Sequence, residues 1–207
     1  MCDVVVILTL LMVISKVTMS NVATVALLRH GGSHLIRPIV ASLGFDIVEP
    51  GNFGAPLDQA VGPVIVFLRD PRDRMVSTLR WWRNKPRKVA LLGNDNSDDA
   101  QLRHLLEKRG FLDEMLVWTD VWCTWTKTVP YKVKFETISS KVVGGIANHL
   151  SLPQNEDRDE RIFSEIYGHG RTYTGNHSNW RDSFGPLSLD YWNANGGKVL
   201  LDMMGYV

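Results

Sequence analysis

Residues 23–38 read ATVALLRHGGSHLIRP, and the reading of this stretch decides the fold class. The apolar run from Ala23 to Leu28 has the length of a strand and ends at Arg29. A His30-Gly31-Gly32-Ser33 turn follows, and an amphipathic stretch from His34 to Leu43 then begins. Leu35, Ile36, Ile39, Val40 and Leu43 stand at helical spacing, with Ser33 as the expected cap. Strand, glycine turn and helix start together make an anion site. Glycine lets the backbone approach a ligand, the first helical N–H groups are unpaired, and the helix dipole is positive there. Arg29 adds a fixed positive charge at the carboxyl end of the strand, the edge at which open α/β sheets bind their ligands. A phosphate-bearing ligand is the natural occupant; the plain alternative is a connecting turn that holds nothing.

The same pattern recurs further along. Pro63–Leu68, PVIVFL, is a continuous apolar run of strand length, as expected of a strand buried on both faces. It ends in Arg69-Asp70-Pro71-Arg72-Asp73-Arg74-Met75-Val76-Ser77, and a helix to about Trp82 follows. Asp70 suits the cap of that helix and Pro71 its first turn. Ser77 lies two turns in, on the side that can turn back toward Arg69, so the pair can hold a second phosphate. The competing expectation is that Arg69, Asp70, Arg72 and Asp73 pair with one another on a solvated helix start.

Composition narrows the class. The chain has 207 residues, 44% hydrophobic and 22% charged, a globular balance with room for one domain and a real core. A net charge of +1 argues against bulk binding to nucleic acid. Two cysteines, Cys2 and Cys123, supply neither a disulfide framework nor a metal-ligand spacing, so a reducing, cytoplasmic setting and no metal are expected. Residues 1–18 form an apolar segment whose Val4–Ile14 run is too short for a hydrocarbon core of about 30 Å, so stable membrane insertion is not expected. That segment reads as an extra strand or as sequence upstream of a start at Met19, and residues 19–207 as a single domain.

Between these landmarks, Phe45–Val48 reads as a short strand and Gly51–Gly62 as a connection. Arg83–Ser97 reads as a loop, and Gln101–Lys108 and Phe111–Thr126 as helices split at Gly110. The aromatic face of the second (Phe111, Trp118, Trp122, Trp125) is expected in the core or in a pocket wall with Trp81 and Trp82. Tyr131–Phe135 alternates as a strand, Ile138–Leu150 is helical with a weak point at Gly144-Gly145, and Ser151–Arg161 is a charged surface. Gly168–Phe184 is a polar loop leading to a helix start near Trp180, and Leu187–Met204 a helix interrupted at Gly196-Gly197.

Four pieces in this order resemble the sulfotransferases that use 3′-phosphoadenosine 5′-phosphosulfate (PAPS). RHGGSH at 29–34 is similar to the 5′-phosphosulfate loop, and RDPRDRMVS at 69–77 to the 3′-phosphate motif, with Arg69 and Ser77 at the family's separation. KFETI at 134–138 resembles the Tyr-Glu-Asp strand end, and TGNHSNWRDSF at 174–184 the C-terminal Arg-Lys-Gly…Gly-Asp-Trp motif. The resemblance implies a three-layer α/β sandwich with a mostly parallel central sheet and a P-loop-like architecture. It also implies transfer of a sulfuryl group to a hydroxyl or amine of a small-molecule or glycan acceptor, by in-line displacement without metal, leaving 3′-phosphoadenosine 5′-phosphate (PAP). By position, Arg29 would be the catalytic cation at the leaving phosphate, with His30, Gly31, Gly32 and Ser33 around it. Arg69 and Ser77 would grip the 3′-phosphate, and His34 would stack on adenine. Tyr173, Thr174 and Gly175 fall in the Arg-Lys-Gly positions, of which only the glycine is kept, and Arg171 is the candidate substitute.

The base is the main departure. Many family members place a histidine or glutamate between the first two motifs to take the acceptor's proton. Here about 40 residues separate the motifs, Leu35–Leu68 holds no histidine, and Asp46, Glu49 and Asp58 are the carboxylates present. Two other readings stay open. One is a sulfotransferase-like protein that binds nucleotide without transfer. The other takes Leu27-Leu28-Arg29-His30-Gly31 as the opening of a histidine phosphatase, with His30 phosphorylated and His169 as the second histidine.

Overall fold

The computed structural model describes residues 21–28, 31–49, 60–123, 130–167 and 180–206. The apolar runs become a sheet. β1 (Val22–Leu27), β2 (Asp46–Val48), β3 (Val64–Leu68) and β4 (Tyr131–Lys134) lie in the order β2-β1-β3-β4, every neighbouring pair parallel. Parallel neighbours need crossovers, and helices supply them. α1 (Ser33–Ser42) joins β1 to β2. α2 (Pro71–Arg83), α3 (Pro86–Val89), α4 (Asp98–Lys108) and α5 (Phe111–Cys123) lie between β3 and β4. α6 (Ser140–His149), α7 (Glu156–Ile166), α8 (Pro186–Ala194) and α9 (Gly197–Met204) follow.

Strand period sends alternate residues of β3 to opposite faces. Ile65 and Phe67 join Ala23 and Val25 of β1 and the apolar faces of α1, α6 and α7 in one core. Val64, Val66 and Leu68 join Ala26, α2, α4, α5, α8 and α9 in the other. Every residue of β3 is buried, as its unbroken apolar run requires. The result is three layers, helices on both faces of a parallel sheet, as expected.

Local sequence chemistry accounts for the helix ends. Asp70 caps α2 by accepting from the Arg72 N–H at 2.9 Å, and Pro71 takes the first helical position, both as expected. α1 differs. Its cap is Gly32, in the left-handed conformation at φ 106°, and Ser33 is already helical. Arg83–Ser97 carries the short helix α3 rather than a loop throughout. The charged stretch from Ser151 turns helical at α7, where the Asn155 side chain accepts from the Arg158 N–H at 2.9 Å. α6 runs unbroken through Gly144-Gly145; a Cβ at Gly145 would stand 1.9 Å from the Tyr131 hydroxyl and one at Gly144 2.8 Å from Asp159. These glycines allow close packing. Trp82, Trp118 and Trp122 are core residues, Trp81 is exposed, and Trp125 lies outside the described residues. Among the described residues no helix is long and apolar enough to cross a membrane.

Candidate functional site

The strand order creates the site. From β1 the chain moves to β2 on one side, while β3 and β4 lie on the other, so the winding reverses between β1 and β3. At such a switch point the loops leaving the two strands diverge and open a crevice at the carboxyl edge. The connections after β1 (ending in Gly31-Gly32) and after β3 (Arg69-Asp70) both leave from that edge.

Around Gly31 and Gly32 the backbone is tight. Gly31 N–H donates to the Leu28 carbonyl at 2.8 Å, and a Cβ on Gly31 would stand 2.6 Å from that oxygen. A Cβ on Gly32 would stand 2.7 Å from Phe67 and 2.8 Å from Phe135. Glycine is required at both positions by the protein's own packing. Gly32 carbonyl accepts from Leu35 and Ile36, but among the described residues no side chain caps α1 and its first turn holds no acid. Ser33 is half-buried and His34 exposed at this positive helix end.

A third strand end closes the group. Arg69 sits 4.8 Å above the Phe135 ring, and the Asp70 N–H donates to Glu136 Oε1 at 2.9 Å. Tyr206 donates its hydroxyl to Glu136 Oε2 at 2.6 Å. Burial pulls the Arg69 pKa below its usual value, and the negative charges of Asp73, Glu136 and Asp70 offset part of that. Each of those carboxylates has a donor of its own. Arg72 forks onto Asp70 at 3.0 and 2.7 Å while stacking 4.1 Å from the Trp180 ring. Asp73 accepts the Trp180 N–H at 2.9 Å, although burial raises its pKa. The expected mutual pairing of Arg69, Asp70, Arg72 and Asp73 thus holds for Arg72 with Asp70, while Asp73 turns to the 180s. Trp180 stands in the 174–184 stretch, at the expected helix start, and meets α2 through its N–H on Asp73 and its ring against Arg72. Tyr206 was missed by sequence reasoning: it meets a partner 70 positions away, so no local signal marks it.

Gly31, Gly32, Ser33, His34 and Arg69 therefore gather at one edge of the sheet, with Ser77 half-buried two turns along α2. Arg29, His30, Arg171, Thr174 and Gly175 lie outside the described residues, as do His169 and Asp58. The base candidates fare differently. Asp46 opens β2 in register with Val22, at the amino edge of the sheet, so the length of a strand separates it from the crevice. Glu49 is forked by both Arg37 Nε and Nη2. Neither stands ready to take a proton at the crevice. No group of three or more His, Cys, Asp or Glu side chains able to hold a metal occurs among the described residues.

No family model matches this chain, and no curated protein matches it by sequence. Among solved structures it is similar to mouse sulfotransferase SULT7A1 crystallised with PAP, at a TM-score of 0.63 and 15% identity, over 91% of this chain and 90% of that one. With four parallel strands flanked by helices among the described residues, and a switch point between β1 and β3, the chain has a sulfotransferase-like α/β fold.

Proposed function

We propose that this chain is a sulfotransferase that moves the sulfuryl group of PAPS onto an acceptor hydroxyl or amine and leaves PAP. The observation that supports it best is the meeting of three strand ends at the switch point, with Arg69 among them, in a fold shared with a PAP-bound sulfotransferase. The residues present suit a bisphosphorylated nucleotide. A helix start with no acid in its first turn suits one phosphate, and an arginine at the carboxyl end of β3 suits another.

In this reading Gly31, Gly32 and Ser33 offer N–H groups to the 5′-phosphate beside Arg29 and His30. Arg69 and Ser77 hold the 3′-phosphate, His34 lies against the adenine, and Arg171, Thr174 and Gly175 complete the nucleotide's enclosure. PAPS supplies an activated sulfuryl group when bound. The protein's part is to position it and to offset charge at the leaving phosphate, with no metal. The acceptor is a small molecule or glycan.

Calorimetric titration with PAP, with adenosine 5′-phosphate as control, tests the reading. PAP is expected to bind well and adenosine 5′-phosphate weakly, with Arg69→Ala lowering PAP affinity about tenfold or more, since a charge-assisted contact is lost. Turnover with PAPS is expected to collapse in Arg29→Ala. Absence of PAP binding by the wild-type chain overturns the reading. The positions of Asp46 and Glu49 favour one alternative, a PAP-binding protein without transferase activity. Binding without turnover over a panel of hydroxyl and amine acceptors would establish that alternative.

A further inference from the structure

Residues 80–90 read RWWRNKPRKVA and carry five cations with no acid. The whole chain has a net charge of +1, so the rest of it is net negative. The fold does not spend this local charge evenly. Arg83 turns back onto α4, donating to Gln101 Oε1 at 2.8 Å and to Asp98 Oδ1 at 2.5 Å. Lys85 and Arg87 stay exposed, and Lys88 is half-buried with its ammonium 4.7 Å from the Trp82 ring. The fold then adds a cation from 18 positions beyond Leu91. Arg109, exposed after the end of α4, donates through Nε to the Leu91 carbonyl at 3.3 Å, just past α3.

Two large apolar side chains stand among these cations. Trp81 and Trp82 are consecutive in α2 and so point about 100° apart. Trp82 joins the core, whereas Trp81 is 42% exposed with the Lys85 ammonium 5.7 Å from its ring. Val89 is 45% exposed and lies one turn from Lys85, whose carbonyl accepts its N–H at 3.0 Å.

We propose that this corner of α2 and α3 is a peripheral docking surface for an anionic lipid membrane. Trp81 and Val89 enter the headgroup region, while Lys85, Arg87, Lys88 and Arg109 meet the lipids' negative groups. Charge complementarity selects an anionic partner. The apolar pair selects lipid among such partners. Tryptophan favours the membrane–water boundary, and lysine and arginine stems lie along apolar surface while their heads stay in water. An aliphatic valine gains nothing from a chain of phosphates or sulfated sugars. The contact is adsorption, held by charge and two shallow side chains. Orientation fits it: α2 starts at the crevice and its 13 residues span about 20 Å, so the surface and the crevice lie at opposite ends of that helix.

Co-sedimentation of the full chain with vesicles tests the proposal. The chain is expected to sediment with an equal mixture of phosphatidylserine and phosphatidylcholine and to stay in solution with phosphatidylcholine alone. Molar salt should release it, because the screening length then falls to about 3 Å. Lys85→Gln combined with Arg87→Gln, both at exposed positions, is expected to lower partitioning about tenfold or more. Brominated acyl chains are expected to quench tryptophan emission in the wild type and to lose most of that effect in Trp81→Phe. With wild-type protein alone, failure to sediment with the mixed vesicles, or sedimentation indifferent to salt, overturns the proposal. So does sedimentation that the variants leave unchanged, which would assign the contact to another part of the chain such as the apolar residues 1–18. Retention by RNA or a sulfated polysaccharide without vesicle binding would make the surface a polyanion site and overturns the proposal equally.

Discussion

Gly32 meets two demands at once. Its φ of 106° lies where L side chains are strained, and a Cβ there would stand within 2.8 Å of both Phe67 and Phe135. The two rings already meet edge to face, 6.2 Å between centres, so neither can withdraw without losing the other. Gly32→Ala is expected to cost about 2–4 kcal/mol, from left-handed strain together with overpacking. Denaturant melts of the two proteins measure it, and equal midpoints would show that the turn relaxes without cost. The same residue scale explains why the glycine pair alone is ambiguous evidence for a ligand. Packing against Phe67 and Phe135 requires glycine at 32 whether or not a phosphate ever arrives.

At the scale of elements, α8 owes its start to another helix. Asp99, in the first turn of α4, accepts the N–H groups of Gly185, Leu187 and Ser188 at 2.8–3.0 Å and the Ser188 hydroxyl at 2.5 Å. Gly185 is tailored to this, since a Cβ there would stand 2.5 Å from the carboxylate. Burial pushes the Asp99 pKa up, but the hydrogen bonds from Ser188, Leu187 and Gly185 together outweigh it and hold the carboxyl below its ordinary range. A lowered folded-state pKa stabilises above the unfolded value of about 4 and is lost as pH falls through the folded value. Asp99→Ala should therefore lose about 1–2 kcal/mol near neutral pH, a figure kept small because solvent reaches the carboxylate. The gap between variant and wild type should close as melts are repeated from pH 5 down to pH 3. A gap that persists unchanged to pH 3 would mean that the ionised carboxylate is not what holds α8.

Across the whole molecule, β3 is the wall that two cores share. Trp82, Trp118, Trp122 and Trp192 all lie in the core of α2, α4, α5, α8 and α9, whereas Ile65 faces the opposite core of α1, α6 and α7. Emission from these four tryptophans thus reports one layer, and Ile65→Ala injures the other. A shared strand makes the layers unfold together, so Ile65→Ala should lower the emission-detected stability by about 2–4 kcal/mol, equal to the loss seen by far-UV circular dichroism. Emission unchanged while dichroism shifts would show two independently unfolding layers instead. The shared wall also bears on function, because the crevice lies at the carboxyl ends of β1 and β3 and inherits the rigidity of both cores.

Much of this protein was legible in order of residues. The buried β3, the Asp70 cap with Pro71 behind it, and the breaks at Gly110 and Gly196 rest on signals contained within a few positions. Alternation of apolar residues and the chemistry of helix ends need no distant partner, so the α/β class followed from them. Where two neighbouring residues compete for one role, local chemistry was not enough. Gly32 rather than Ser33 caps α1 because the turn must pass Phe67 of β3 and Phe135 just beyond β4. The charged run that became α7 looked like bare surface because only Ile162 and a few neighbours face the core, and α1 and α6 decide that they do. Tertiary structure alone decided that Asp46 starts its strand at the edge away from the crevice, that Arg37 holds Glu49, and that Glu136 meets Tyr206. Strand order sets which loops become neighbours, and that order depends on pairing between segments far apart in the chain. The sequence by itself determined the elements and the class; only the tertiary structure decided which charges stand together at the edge where chemistry is possible.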